Sequence, residues 1–309
     1  MYLGAVPEKA RHRRSRLRAT LAWPPLPHPC YAQHGDQDSG IACNDKERLV
    51  ETSHFALLLF GALAGGFVSG LAGFGTALMA LGIWLYVLPP SLAVPLVLIC
   101  SVIAQTSTLP SMWKSFDFTL VWPFLIGGLA GVPLGTMMVA DADPQVFKLS
   151  VGVLLLVFPT ALYLNRKPLA FKFGGRIADG AIGFAGGILG GLAGLSGPLP
   201  ILWANVRGWN KHQRRGIFQI FNWTVLATAL MLQAASGLVD VQVIWLALIA
   251  FPGTLIGAWL GARLYHALSD RHFADVVLGL LFLSGMALVW NSLGGHYSAA
   301  EIMRPNSVA

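Results

Sequence analysis

The most informative deficit of this sequence is charge. Only 11% of its 309 residues are Asp, Glu, Lys or Arg, against about 25% in a typical soluble domain. Hydrophobic residues make up 55% of the chain, and its mean hydropathy is +0.63. A soluble fold of this composition would expose far more contiguous apolar surface than water tolerates. The composition therefore predicts an integral membrane protein.

Cysteine is scarce as well. The three cysteines are Cys30, Cys43 and Cys100, and their spacing forms neither a CxxC pair nor a Cys/His metal motif. The sequence therefore predicts no disulfide framework, no metal site and no cofactor. Cys100 is expected to be a small buried residue.

Long apolar runs fill most of the chain after residue 53. Stretches of about 20 residues, long enough to cross a bilayer, lie at 91–112, 119–140, 146–164, 216–236, 240–262 and 273–293. Two further segments, 54–88 and 177–205, are too long for one straight span. The first is interrupted by glycines at 73–75 and the second by Ser-Gly-Pro at 196–198. Each is either a kinked span or a hairpin of two half-helices.

Two internal matches indicate a duplication. AGGFVSGLAG at 64–73 returns 121 residues later as AGGILGGLAG at 185–194, with seven of ten positions identical. At an offset of 126, a second match relates Gly127, Gly131, Leu134 and Gly135 to Gly253, Gly257, Leu260 and Gly261. Glycine at every fourth position forms a stripe that lets helix backbones approach closely in lipid. These glycines are therefore predicted to pack helices and not to bind substrate.

The basic residues discriminate between a kinked span and a hairpin. If both interrupted segments are re-entrant hairpins, the basic loops share one side: Lys114, 166–176, 207–215 and 263–271. The opposite loops then hold no Lys or Arg: 89–91, 141–144 and 236–240. This arrangement follows the positive-inside rule. It also makes the second half inverted relative to the first.

The predicted fold is an all-α integral membrane protein with two inverted repeats, each a broken re-entrant helical hairpin plus three transmembrane helices. Repeat 1 spans 53–165, repeat 2 spans 166–294, and 295–309 form a C-terminal tail. Residues 1–52, rich in Pro, Gly, Gln and Asp, are predicted to be a disordered tail. The basic run at 9–18 indicates a juxtamembrane segment or an extension, not a nucleic-acid arm. No apolar run of a signal peptide follows it.

The order of motifs also resembles a known family. The carrying segments are Ala64–Thr76, Gly127–Gly135 with Asp143-Pro144, Ala185–Pro198, and Pro252–Gly261 followed by Arg263. Together they resemble the sulfite exporter TauE/SafE family, also called the 4-toluene sulfonate uptake permease family, over about residues 54–293. The resemblance implies a multi-pass protein of the cell inner membrane. It further implies transport of small organic or inorganic anions, often sulfur oxyanions or sulfonates.

Broken helices can solvate an anion without a buried cation. The first N–H groups after each break lack intrahelical partners and carry partial positive charge. The N–H groups of Gly75 and Gly197 and the hydroxyls of Thr76 and Ser196 are the predicted donors. The full predicted substrate-binding set is Gly73, Phe74, Gly75, Thr76, Gln105, Leu195, Ser196, Gly197, Gln219 and Asn222. Its three amide side chains either bind the anion or bond across helices.

Charged residues are placed at span ends. No Asp, Glu, Lys or Arg falls in the middle of a predicted span, so a proton relay has no obvious position. Asp179 and Arg263 lie near span ends and are expected to be solvated at the interface.

The favoured function is export of a small anion such as sulfite, an organosulfonate or a carboxylate, with an uptake permease for such anions as the alternative. Gly194-Leu195-Ser196-Gly197 matches the GxSG of rhomboid proteases, but the serine would need a histidine within reach. Histidines 212, 266, 272 and 296 map to loops, span ends or the tail. An enzyme is therefore disfavoured. A non-transporting membrane assembly factor is a further, less favoured alternative, which substrate flux in sealed vesicles would exclude. The expected partners are a small anion and the bilayer, with no nucleic acid, and the oligomeric state stays open.

Overall fold

The computed structural model describes residues 37–109, 118–140, 142–164, 175–207, 211–267 and, with gaps, 278–292. Side chains are described from residue 54 onward, except at some helix ends such as 211–216 and 265–267. The chain divides into two units, residues 1–54 and 55–309. The described part of the first unit, 37–54, is helical. The architecture below is that of the second unit.

The described residues form helices joined by short turns, with no strand among them. In chain order the helices are α1 Gln37–Ala72, α2 Thr76–Trp84, α3 Pro90–Thr108, α4 Phe118–Ala140, α5 Pro144–Leu164, α6 Gly175–Ala193, α7 Pro198–Arg207, α8 Lys211–Ala235 and α9 Val241–Ala267. Further helical residues lie between 278 and 292.

Helix α1 begins at Gln37, inside the region that the sequence predicts to be disordered. Residues 37–52 contain no proline, whereas the first 29 residues contain five. The apolar helix at 54–72 supplies a nucleus, and each added turn then gains hydrogen bonds without a new nucleation cost. The predicted disorder of residues 1–36 concerns a part of the chain outside the described residues.

Six of the described helices are long and apolar enough to cross a bilayer: 54–72, 90–108, 119–139, 144–164, 217–235 and 241–264. Five of them coincide with predicted spans. The sixth, 54–72, is the first arm of an interrupted segment. The predicted span 273–293 lies mostly outside the described residues. The prediction of an all-helical membrane protein is confirmed.

The first interrupted segment reverses direction at its glycines. Gly73 and Gly75 adopt φ values of +78° and +101°, which side chains disfavour. Helix α2 then runs back along α1, and the indole N–H of Trp84 donates to the carbonyl oxygen of Leu58 at 3.1 Å. The segment is therefore a helical hairpin and not a kinked straight span.

The second interrupted segment reverses in the same way. Gly194 adopts a φ of +68° after α6. Helix α7 returns along α6, and the indole N–H of Trp203 donates to Asp179 Oδ1 at 2.7 Å. Asp179 lies 121 residues after Leu58, so in each hairpin a tryptophan of the second arm donates to the equivalent residue of the first arm.

The two arms of each hairpin differ in length. The first arms, 54–72 and α6, each contain 19 residues, which corresponds to about 28 Å of helix. The second arms, α2 and α7, contain 9 and 10 residues. The expectation of two half-helices therefore holds for the second arm of each hairpin, while the first arm has the length of a full span.

The glycine stripes pack helices, as predicted. A methyl group on Gly131 of α4 would overlap the carbonyl oxygen of Phe184 in α6, and one on Gly135 would overlap that of Ile188. These contacts bring the two backbones together without intervening side chains. The stripe therefore forms the α4–α6 interface.

The stripe of α9 makes the equivalent contacts with α1. A methyl group on Gly257 would overlap the carbonyl oxygen of Leu63, and one on Gly261 would overlap that of Phe67. Leu63 and Phe67 precede the residues that α4 contacts, Phe184 and Ile188, by 121 positions. Each half thus packs its stripe against the hairpin of the other half, and the two halves interlock.

Helices α3 and α8 occupy the centre of this arrangement. Helix α3 packs against α9, α8 packs in the equivalent way against α4, and α3 and α8 contact each other. Exchanging the two halves therefore reproduces the pattern of helix contacts. The first arm of each hairpin packs against a glycine stripe of the other half. This packing holds each break beside the central helices.

Candidate functional site

A narrow cavity lies where the two hairpin breaks meet α3 and α8. It contains about 250 Å³ of space between atoms, part of it open to the outside, and its centre has room for about one water molecule. Eight of the ten predicted substrate-binding residues line it: Phe74, Gly75, Thr76, Gln105, Leu195, Ser196, Gly197 and Asn222. Residues from breaks that are 121 positions apart in sequence thus share one small space.

Two of the predicted residues are not among those that line the cavity. Gln219 donates from Nε2 to Thr108 Oγ1 at 2.6 Å and so joins α8 to α3. This is the helix-bridging role that the sequence leaves open for amides in a bundle. Gly73 ends α1, where its N–H donates to the carbonyl oxygen of Ser69 at 2.7 Å.

Six lining residues are absent from the predicted set: Ala77, Leu78, Ser101, Gly194, Pro198 and Leu226. Ser101 is the only polar side chain among them. The duplication contains the signal that would have found it, because Ser101 lies 121 residues before Asn222, which the sequence does predict. The same offset relates Gln105 to Leu226.

The lining repeats at that offset. Six pairs account for twelve of its residues: Phe74 with Leu195, Gly75 with Ser196, Thr76 with Gly197, Ala77 with Pro198, Ser101 with Asn222, and Gln105 with Leu226. The cavity therefore lies between equivalent surfaces of the two halves, where the central helices α3 and α8 meet the two breaks.

The start of α2 points backbone donors toward the cavity. Gly75 is its N-cap and makes no side-chain cap hydrogen bond. The N–H of Met79 is the first to bond back, to the carbonyl oxygen of Gly75 at 3.1 Å. The N–H groups of Thr76, Ala77 and Leu78 consequently have no i−4 partner in the helix. These three residues line the cavity, and they bring partial positive charge to it.

The start of α7 offers fewer backbone donors. Ile201 bonds back to the carbonyl oxygen of Gly197 at 3.1 Å, so Gly197 caps this helix. Pro198 and Pro200 occupy the first and third positions, and proline has no N–H. Between them only Leu199 has a donor. The two breaks thus occupy corresponding places in the two halves but differ in hydrogen-bonding capacity.

Three polar side chains in the lining have unsatisfied atoms. Thr76 Oγ1, Ser101 Oγ and Gln105 Oε1 are buried and have no hydrogen-bond partner among the described residues. A buried polar group left in this state costs about 1–3 kcal/mol. Native structures rarely leave such groups unpaired, so these three atoms are available to pair with a polar ligand or water.

Ser196 and Asn222 satisfy each other. The Ser196 hydroxyl donates to Asn222 Oδ1 at 2.8 Å. This bond orients the amide so that Nδ2 lies beside the second break, 3.3 Å from where a Cβ on Gly197 would be. Asn222 therefore presents two N–H donors. An amide oxygen is not a base, so this bond does not activate the Ser196 hydroxyl as a nucleophile.

None of the described residues that line the cavity is charged. Asp179, expected at the interface, is instead 3% exposed. Its Oδ2 lies 3.1 Å from Arg207 Nη2, while its Oδ1 accepts from Trp203. The expectation of interfacial solvation is wrong here because α7 folds back over α6 and covers the carboxylate. In the described part of the chain, no three His, Cys, Asp or Glu residues cluster to hold a metal ion.

Comparison with known proteins gives consistent matches. The profile of the family described as sulfite exporter TauE/SafE matches residues 57–288. A relative from Cupriavidus necator, named probable sulfite/organosulfonate exporter TauE, is 27% identical over 235 residues, covering 73% of this chain and 90% of its own. A probable membrane transporter protein from Haemophilus influenzae is 21% identical over 263 residues, covering 78% and 97%. No solved structure gives a significant match.

Proposed function

Because this chain belongs to the sulfite exporter TauE/SafE family, we propose that it transports a small anion such as sulfite, an organosulfonate or a carboxylate. We place it in the cell inner membrane as a multi-pass protein and assign it no enzymatic activity. The observation that carries the proposal is the buried, uncharged cavity between the two breaks. The name of the Cupriavidus necator relative, probable sulfite/organosulfonate exporter, supports the choice of sulfur oxyanions.

The cavity has the donors that an anion requires. The free N–H groups at the start of α2, the hydroxyls of Thr76 and Ser101, and the amide of Asn222 converge on it. Helix N-termini bind anions through oriented N–H groups and the helix dipole. Partial charges hold a small anion without the tight ion pair that a buried Lys or Arg would form. Release to the other side of the membrane is correspondingly easy.

Removing one cavity hydroxyl is expected to impair transport. In Thr76→Val the side chain keeps its shape but loses the hydroxyl, and a hydrogen bond to a charged group contributes about 1.5–3 kcal/mol. At limiting substrate we expect sulfite efflux from sealed proteoliposomes to fall about tenfold or more. Thr136→Val is the matched control, because the Thr136 hydroxyl is also buried and unpartnered but lies outside the cavity. Equal flux in the two variants would reject this site.

The direction of transport is proposed to be export. A monoanion that leaves a cell with a negative interior gains about 2.3 kcal/mol per 100 mV, a concentration ratio of about fifty. Efflux therefore requires no coupling ion, in keeping with a cavity lining in which no described residue is charged. In proteoliposomes, a positive-inside potential is expected to slow efflux, and for a sulfonate no stoichiometric proton movement is expected. Accumulation of the anion against the potential, abolished by a protonophore, would instead favour the uptake permease.

The two halves are proposed to be inverted in the membrane, with 166–176 and 207–215 both cytoplasmic. The hairpin that α6 and α7 form supports this, because the chain then leaves on the side where it entered. In a variant without native cysteines, Lys172→Cys and Lys211→Cys should both resist an impermeant thiol reagent in intact cells. Ser236→Cys, in an opposite loop, should be labelled. Labelling of position 211 but not 172 would contradict the re-entrant hairpin.

A further inference from the structure

The cavity is symmetric in backbone position but not in chemistry. In the second half, Ser196 and Asn222 bond to each other at 2.8 Å. In the first half, Thr76 Oγ1, Ser101 Oγ and Gln105 Oε1 all lack a partner among the described residues. The buried side-chain atoms of the lining that lack a partner therefore all come from the first half. A ligand that pairs with them has a defined orientation relative to the two halves.

Gln105 differs from the other unsatisfied groups. Hydroxyls donate or accept, whereas an amide oxygen only accepts. Gln105 is 2% exposed and its Oε1 is buried. The equivalent residue in the second half is Leu226, which also lines the cavity. At this position the first half therefore has an amide, whose oxygen accepts and whose Nε2 carries two N–H donors, where the second half has only carbon. A bare oxyanion cannot donate to this oxygen.

The lining also limits the charge of the ligand. The desolvation penalty of an ion rises steeply with its charge, and a dianion in a low-dielectric cavity needs full opposite charges nearby. No described lining residue is charged, and the donors are backbone N–H groups, hydroxyls and the amide groups of Gln105 and Asn222. These partial charges suit a monoanion.

We propose that the cavity selects a monoanion that still carries a hydrogen-bond donor, a protonated oxyanion such as hydrogen sulfite, in preference to the dianion. Gln105 Oε1 accepts the hydrogen bond of the bound anion, while the start of α2, Ser101 and Asn222 donate to its oxygens. This inference rests on the proposed anion transport and identifies the form of the anion that binds. It also assigns to Gln105 a role in selecting the protonated form of the anion.

The pH dependence of binding separates the two forms of the anion. Binding to the purified full-length protein is measured for sulfite, whose last proton dissociates near neutral pH, and for methanesulfonate, a monoanion without a donor. Above the pKa of the ligand, the apparent Kd of sulfite is expected to rise about tenfold per pH unit, because the monoanion fraction falls by that factor. Binding of methanesulfonate is expected to be weaker and independent of pH.

The methanesulfonate arm reports any titration of the protein itself. The titratable side chains described on the helices around the cavity are His54, Cys100, Lys148, Tyr163, Arg176, Asp179, Arg207 and Arg263, and none of them lines it. The basic residues between 211 and 215 on α8 have side chains outside the described set. A protein group that controlled binding would change both probes in parallel, and this result would overturn the proposal.

Gln105→Leu tests the acceptor directly. Leu226 shows that the equivalent position of the repeat accommodates leucine. We expect sulfite binding at low pH to weaken about tenfold, with methanesulfonate binding unchanged. Without ligand, the thermal midpoint should be unchanged or higher, because the substitution removes an unpaired buried acceptor. Equal loss of both probes would show that Gln105 acts through packing and would overturn its role.

A double variant provides a second test in case Gln105→Leu folds poorly. Gln105→Leu combined with Leu226→Gln moves the acceptor to the equivalent position, and we expect it to regain the pH dependence and part of the sulfite affinity. If the unaltered protein binds both probes without pH dependence, the inference fails and anion binding stands. If it binds neither probe at any pH, the proposed function of the cavity fails as well.

Discussion

Replacing Gly131 by alanine is expected to destabilise the protein by about 1–3 kcal/mol and to lower the amount folded in the membrane severalfold. The added methyl would overlap the carbonyl oxygen of Phe184 and lie 3.0 Å from the backbone nitrogen of Ile188. Backbone atoms cannot rotate away as a side chain does, so α4 and α6 must separate. Thermal unfolding in detergent and the yield of monodisperse protein measure the effect.

Gly180→Ala is the matched control on the same interface. Its methyl would lie 3.5 Å from the carbonyl oxygen of Pro123, an ordinary van der Waals contact. Alanine in place of a helical glycine favours the helix by up to about 1 kcal/mol, so no loss is expected. Gly257→Ala should behave like Gly131→Ala, because it meets Leu63 as Gly131 meets Phe184. Equal losses at Gly131 and Gly180 would contradict the assignment of close backbone packing.

Replacing Asp179 by alanine is expected to destabilise the second hairpin by about 3–5 kcal/mol, the usual cost of breaking a buried ion pair from one side. The carboxylate is almost fully buried and accepts from both Arg207 and Trp203. Its removal takes away the anionic partner of a guanidinium that is itself only 17% exposed. Asp179→Asn keeps an acceptor for the indole and should therefore lose less.

The double variant Asp179→Leu with Arg207→Met separates charge from packing. Replacing both partners of a buried pair by apolar residues is often neutral or stabilising, so it should recover more than half of the loss in thermal stability. A double variant as unstable as Asp179→Ala would show that shape and the Trp203 hydrogen bond, not charge burial, account for the cost.

Local backbone chemistry made the hairpin breaks predictable. Gly73 and Gly75 adopt positive φ values that only glycine adopts readily. Gly194 does the same in the second half, and Pro198 follows at the first position of α7. The lengths of the arms were less predictable, because helix α1 is stabilised by the α9 glycines, which lie far away in the sequence.

The cavity was predictable at the two breaks and at two amides on the central helices, Gln105 and Asn222. Thr76 and Ser196 follow the breaks directly, and both line the cavity. Along α3 and α8 the spacing of the polar side chains does not distinguish a ligand-binding group from one that bridges helices. Gln219 therefore entered the predicted set although it bonds to Thr108, and Ser101 did not.

By itself, the sequence determined the membrane class from its composition and the duplication from its internal matches. It also determined the positions of the breaks and the packing role of the glycine stripes, because these depend on residues close together in the chain. Only the tertiary structure decided which surfaces meet. A bare glycine face does not specify the helix that covers it, and α4 covers its own with the hairpin of the other half. Likewise, burial of Asp179 depends on Arg207, 28 residues later on another helix. The asymmetry of the cavity has the same cause, because packing in three dimensions decides which polar atoms come within hydrogen-bonding distance of each other.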